Sequence, residues 1–178
     1  MAKARVLLGF AIGHRGQEPG LSNEDMGFYA AANWSEWNCH LLQYEIAQVV
    51  RRVGFKAEHI AGEGGLGLWL HTQELVRQYL DILQSWGVNL STAEYYVLCH
   101  SSHWSGCLWF LKKELVARGV TDPRIARLPV KVRYDYKSWQ WPTRSFVHLA
   151  VPKVLRGIQS LWRRDISVRD VLRYFLGR

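Results

Sequence analysis

Short apolar runs alternate along this chain with longer stretches in which apolar residues return every three or four positions. Val6-Leu7-Leu8 and Tyr95-Tyr96-Val97-Leu98-Cys99 have the length and continuity of strands covered on both faces. Leu41, Leu42, Ile46, Val49 and Val50 keep helical spacing up to Gly54, and Leu75, Val76, Tyr79, Leu80 and Leu83 do so up to Gly87. Leu108, Leu111, Leu115 and Val116 repeat the pattern before Gly119. The predicted order is strand 4–10, helix 36–53, a strand near 57–61, helix 72–86, strand 95–100, helix 104–118, a strand near 124–132 and a C-terminal helix. Strands that alternate with helices imply an α/β protein on a mostly parallel sheet. No repeat, low-complexity stretch or linker interrupts the pattern, so one domain is expected over 1–178, with a helical segment at about 146–178 packing on it.

Open parallel sheets place ligands outside the carboxyl ends of their strands. Two predicted strand ends carry polar chemistry. One is His100-Ser101-Ser102-His103-Trp104, directly before a helix. The other is Gly9-Phe10-Ala11-Ile12-Gly13-His14-Arg15-Gly16, whose glycines permit close backbone approach or positive φ. Their spacing is neither a dinucleotide fingerprint nor a P-loop. The long segment 13–35 reads as a loop in which Ser22 either caps a short helix through Asp25 or meets a ligand.

Several chemistries can be written on these residues. His100 and His103, three apart and near Cys99 and Cys107, superficially suggest zinc. Strand alternation turns Cys99 away from His100, however, and Cys107 sits one turn into a helix as a small apolar residue, so no metal is expected. Imidazoles lining a pocket, one of them an acid or base near neutrality, suit the pattern better. A nucleophilic Ser101 or Ser102, oriented through histidine by Asp135 or Glu45, can be drawn, but no Gly-x-Ser-x-Gly elbow is present. Glu45 shares a helix face with Leu41, Leu42 and Val49, so it is either a solvated carboxylate or a buried acid. Its candidate partners are then Arg144, His71 and His103. Asp135 and Arg144 bracket Tyr134, Tyr136, Trp139 and Trp141, a segment that either stacks on a planar base or packs as a surface loop.

Composition narrows the compartment and the partners. Nine Trp and eight Tyr among 178 residues give many side chains with an apolar body and a polar edge, as pockets and interfaces use. Three cysteines cannot form a closed disulfide framework. No signal peptide is visible and no apolar run approaches the ~18 residues that a membrane span needs, so a cytoplasmic protein is expected. The formal charge is +8, and 153–178 holds seven Lys or Arg against two Asp, a net of +5. Interleaved with Val154, Leu155, Ile158, Leu161 and Trp162, those cations form a basic amphipathic pattern that can cover the sheet or lie on an anionic membrane. Nucleic acid is the weaker partner, because no binding motif accompanies the charge.

A set of short blocks in fixed order resembles the Rossmann-like family of unknown function that includes YdcF, SanA and ElyC, in its soluble subgroup. They are Gly9-Phe10, Pro19-Gly20-Leu21-Ser22-Asn23-Glu24, Gln43-Tyr44-Glu45-Ile46-Ala47, His71-Thr72-Gln73-Glu74, His100-Ser101-Ser102-His103-Trp104, and Tyr134-Asp135 with Gln140-Trp141-Pro142-Thr143-Arg144-Ser145. The chain departs from the family at Leu68-Trp69-Leu70-His71-Thr72 and at Ser105-Gly106, where a basic residue often follows the histidine block. The resemblance implies a Rossmann-like three-layer sandwich whose polar blocks gather at one sheet edge around a small anionic or nucleotide-like ligand, S-adenosylmethionine among the candidates. On that reading His100, His103 and Glu45 are the catalytic candidates of a transferase or hydrolase. Gly9, Phe10, Ser22, Asn23, Glu24, His71, Thr72, Ser101, Trp104, Asp135 and Arg144 are the ligand-binding ones. The competing expectation is a non-catalytic interaction domain that uses 153–178 on a membrane surface or nucleic acid.

Overall fold

The computed structural model describes residues 3–16, 18–57, 59–60 and 72–138. The predicted C-terminal helix, His71 and Arg144 lie outside the described residues. In chain order the elements are β1 (Arg5–Phe10), α1 (Leu21–Ala32), β2 (Cys39–Gln43), α2 (Tyr44–Arg52), β3 (His59–Ile60), α3 (Thr72–Ser85), β4 (Glu94–Cys99), α4 (Trp104–Ala117) and β5 (Arg124–Arg127). Short 3-10 turns at Trp34–Glu36 and Ser101–His103 precede β2 and α4. The five strands form one sheet in the order β3-β2-β1-β4-β5, and every pairing is parallel.

The period-two geometry of a strand distributes β1 between two cores. Val6, Leu8 and Phe10 enter one, together with Tyr95, Val97 and Cys99 of β4 and the apolar faces of α3 and α4. Leu7 enters the other with Leu42 and Leu98, covered by Met26 and Ala30 of α1 and Ile46, Ala47 and Val50 of α2. The register pairs Val6 with Tyr95, Leu8 with Val97 and Phe10 with Cys99, which keeps side chains of one core opposite one another. Helices therefore cover both faces, giving three layers, and the double burial of β1 and β4 explains their uninterrupted apolar sequence. Each leucine removed from water in these layers contributes about 1.5–3 kcal/mol.

Three departures from the sequence pattern have identifiable causes. The predicted helix 36–53 is β2 running straight into α2 with no loop between them. Leu41 and Leu42 face opposite cores, so both are buried, and that adjacent pair mimics the spacing of the helix that follows. The predicted loop 13–35 contains the three-turn α1. Apart from Met26 its buried side is built from small or polar residues, and a Cβ added at Gly27 would stand 2.4 Å from Val49 Cβ, so α1 meets α2 too closely to display a large apolar stripe. The last strand stops at Arg127, at the edge of the sheet, rather than continuing to 132.

Cys99 and Cys107 are buried in the α3/α4 core, and Cys39 is half-buried beside it. Among the described residues, no helix is long and apolar enough to cross a membrane.

Candidate functional site

From β1 the chain steps outward to β2 and β3, then returns across the sheet through α3 to β4 on the other side of β1. The loops leaving β1 and β4 consequently diverge, and the space between them is where doubly wound sheets open a crevice. Two groups of polar side chains border it.

The first group fastens the loop after β1. Asn23 is fully buried in α1; its amide oxygen accepts from the Ile12 N–H at 3.0 Å, and its amide nitrogen donates to the carbonyls of Gly13 and Pro19, each at 2.6 Å. Asp135, 1% exposed, receives Arg15 side-on through Nε and Nη2 at 2.7–3.0 Å and the backbone N–H groups of Leu21 and Lys137 at 3.0 and 3.1 Å. Burial pushes the Asp135 carboxyl up, but the guanidinium and the two amides outweigh that and hold it below its ordinary 3.8. Asp135 thus satisfies an orphan N–H in the first turn of α1 from more than a hundred residues away. Gly20 makes room for it: φ is +79°, and a Cβ there would lie 2.5 Å from Asp135 Oδ2. Ser22 does not cap α1. Gly20 occupies the cap position, and the Ser22 hydroxyl donates to the Arg133 carbonyl at 2.5 Å. Asp25 clasps Arg133 bidentately nearby, and the Glu24 carboxylate lies within electrostatic reach of Arg15 and Arg133.

The second group lies at the ends of β2 and β4. Glu45 sits in the first turn of α2. Its Oε2 is buried and has no hydrogen-bond partner among the described residues. Burial raises its carboxyl above the ordinary 4.5, offset in part by its own backbone N–H and by His14. His14 is therefore the described histidine that acts on Glu45, whereas His103, one of the expected partners, instead meets Thr72 Oγ1 through Nε2 at 3.3 Å. Tyr79, on the fully buried face of α3, donates its hydroxyl to the Gly9 carbonyl at 2.5 Å. The Gln43 side chain accepts from the Ala11 N–H at 2.9 Å. The ends of β1 and β2 are thereby pinned through side chains. Gly9 itself packs against β2 and α2, since a Cβ there would approach Leu42 Cδ2 to 2.7 Å and Ile46 Cδ1 to 3.2 Å, and Phe10 is a core residue set edge-on to Tyr79 with centroids 5.4 Å apart.

At the end of β4, His100 is 1% exposed and its Nδ1 lies 2.6 Å from Ser102 Oγ. The same nitrogen accepts the Ser102 backbone N–H at 3.2 Å. A backbone amide can only donate, so Nδ1 carries the lone pair, the neutral ring holds its proton on Nε2, and the Ser102 hydroxyl donates to Nδ1. Tyr134 meets the ring edge-on, with centroids 4.3 Å apart. Neither carboxylate drawn as an orienting acid for this pair is bonded to it: Asp135 is committed to Arg15 and α1, and the histidine whose charge acts on Glu45 is His14. Ser101 is exposed in the turn, and Trp104 opens α4 with the Arg127 guanidinium 5.9 Å from its ring centroid. The segment around Asp135 is anchored on α1; Trp139 and Trp141, further along the same aromatic segment, lie outside the described residues.

Tyr79, His14 and Arg15 were not among the predicted site residues. Tyr79 hides in a regular apolar helix stripe, where nothing signals that its hydroxyl reaches a strand end. His14 and Arg15 are visible only as polar residues between glycines. Among the described residues no three His, Cys, Asp or Glu side chains gather to hold a metal ion. Comparison of the chain with family models, curated proteins and solved structures returns no match.

Proposed function

We propose that this is a Rossmann-like, YdcF-type protein that binds a small nucleotide-like molecule in the crevice outside β1 and β4, with S-adenosylmethionine as one candidate. One observation carries the reading: a buried carboxylate oxygen of Glu45 with no partner among the described residues, in the first turn of α2 at the carboxyl end of β2. A buried polar atom of this kind costs free energy unless something bonds it. A hydroxyl or ammonium of a ligand answers that need, and His14 supplies a neighbouring imidazole. On this reading His100 and His103, at the end of β4, are the acid–base candidates. Binding to the native state alone stabilises it by RT ln(1 + [L]/Kd), about 2.7 kcal/mol at a hundredfold excess over Kd. A thermal-shift series with adenosine, AMP, S-adenosylmethionine and sugar phosphates should therefore give a saturable rise in Tm that Glu45→Gln abolishes. No shift with any of them in a folded sample refutes the reading.

The 2.6 Å contact between Ser102 Oγ and His100 Nδ1 favours a second, hydrolytic reading: His100 takes the hydroxyl proton as Ser102 attacks an ester or phosphoryl centre, returns it to the alcohol that leaves as the ester bond breaks, and water then hydrolyses the Ser102 ester. A fluorophosphonate probe should then label the wild type and spare Ser102→Ala; equal labelling of both, or of neither, removes it.

A further inference from the structure

At the opposite edge of the sheet, where the strands begin, a cleft of about 320 Å³ is lined by Trp34, Asn38, Cys39, His40, Lys56 and Trp86. Its walls come from the turn before β2, the start of β2, the segment ahead of β3 and the end of α3. It does not share a residue with the carboxyl-edge crevice, and the proposal below does not depend on how that crevice is used.

The cleft is braced. The His40 ring stacks on Trp34 with centroids 3.7 Å apart and planes 5° from parallel, and its Nε2 donates to the Trp34 carbonyl at 2.8 Å. Trp37 meets His40 edge-on, and Phe55 tilts against Trp34 with centroids 5.3 Å apart. Stacked and bonded in this way, the two rings form a plate that needs little reordering when a ligand arrives, which removes one cost of binding. Trp86 stands free enough to move, at 44% exposure. With Nε2 used as a donor and burial favouring the uncharged ring, His40 offers a lone pair at Nδ1 and no positive charge. Cys39 is pushed up by burial and is therefore a thiol, not a nucleophile.

The remaining charge decides the ligand class. Lys56 is exposed, is the one formally charged residue of the lining, and has no carboxylate partner among the described residues. The ammonium disfavours a cation and favours an anion, and an uncharged ligand gains nothing from it. The volume lies at the small end of the range for ligand pockets, about 300–1,000 Å³, which suits one or two rings. We propose that this cleft binds a small planar aromatic anion, its ring lodged between Trp86 and the Trp34–His40 plate and its acidic group on Lys56.

The test uses naphthalene-2-sulfonate as the anionic probe and 2-naphthol as its uncharged counterpart, followed through the indole N–H signals of ¹⁵N-labelled full-length protein. The sulfonate should shift two indole signals saturably, and Trp86→Ala should remove one of them and abolish saturation. Lys56→Gln should weaken the sulfonate about tenfold and leave 2-naphthol unchanged, a tenfold loss being 1.4 kcal/mol. Both side chains are exposed, so retained dispersion of the remaining signals establishes that the variants are folded. Absence of a saturable shift, equal binding by Trp86→Ala, or sulfonate affinity indifferent to Lys56→Gln overturns the proposal. Loss of sulfonate binding in Glu45→Gln overturns it as well, by assigning the probe to the carboxyl edge.

Discussion

The two polar groups that border the crevice differ in how completely they are satisfied. Around α1, Asn23 bonds three backbone groups, and Asp135 holds a guanidinium and two amides. At the end of β2, Glu45 keeps a buried oxygen without a partner among the described residues. Side chains whose bonding capacity is used up by their own chain act on the fold, and those with capacity left over are available to a ligand. The same residue types in the same sequence blocks thus divide into fasteners and readers, and substitutions should separate them.

The largest effect should come from the fasteners. Asp135→Ala leaves Arg15 without its counter-charge and strips the first turn of α1 of an acceptor, so urea unfolding should show a loss of about 2–4 kcal/mol. A loss below 1 kcal/mol would erase the distinction. Gly27→Ala inserts a methyl group 2.4 Å from Val49 Cβ and should cost about 1–3 kcal/mol in the same measurement by forcing α1 off α2. Glu45→Gln should move the other way. Removing a buried charge leaves stability at neutral pH equal or higher by up to about 1 kcal/mol, while the ligand-induced Tm shift disappears.

The pH dependence gives the two groups opposite signs. Glu45 is raised in the folded state, so its contribution is fully present below its ordinary 4.5 and is lost as pH rises through the folded value. Asp135 is lowered, so its contribution is present above its ordinary 3.8 and is lost as pH falls through the folded value. In urea titrations at stepped pH, Glu45→Gln should flatten the fall on the rising side and Asp135→Asn the fall on the acid side. The smallest effect belongs to the exposed Arg52–Glu18 pair at 2.8 Å, where Arg52→Ala should change stability by less than about 0.5 kcal/mol.

Much of the fold was legible because β1, β4, α3 and α4 bury enough large side chains to print their period on the sequence. Helix 72–86 and helix 104–118 lie within a residue of α3 and α4. The pattern failed where packing uses small residues or no loop. Gly27, Ala30 and Ala31 carry α1 without a strong apolar stripe, and Gln43 passes from β2 to α2 without a break. At the site, sequence blocks pointed to His100, Glu45 and Asp135 but could not tell a saturated carboxylate from an unsatisfied one. That difference depends on which residues from distant parts of the chain arrive beside each, as Arg15 does beside Asp135 across 120 positions.

The central place of β1 also sets the order in which the molecule can be made. One edge of β1 pairs with β2, but the other waits for β4, and Arg5 lies opposite Glu94. Tyr79, which closes the end of β1, comes 70 residues after Gly9. During synthesis at ~5–20 residues per second, the first strand is therefore finished several seconds before its second neighbour exists. Until then one edge and one apolar face of β1 have no partner from their own chain, so the strand order leaves the centre of the sheet to be closed last.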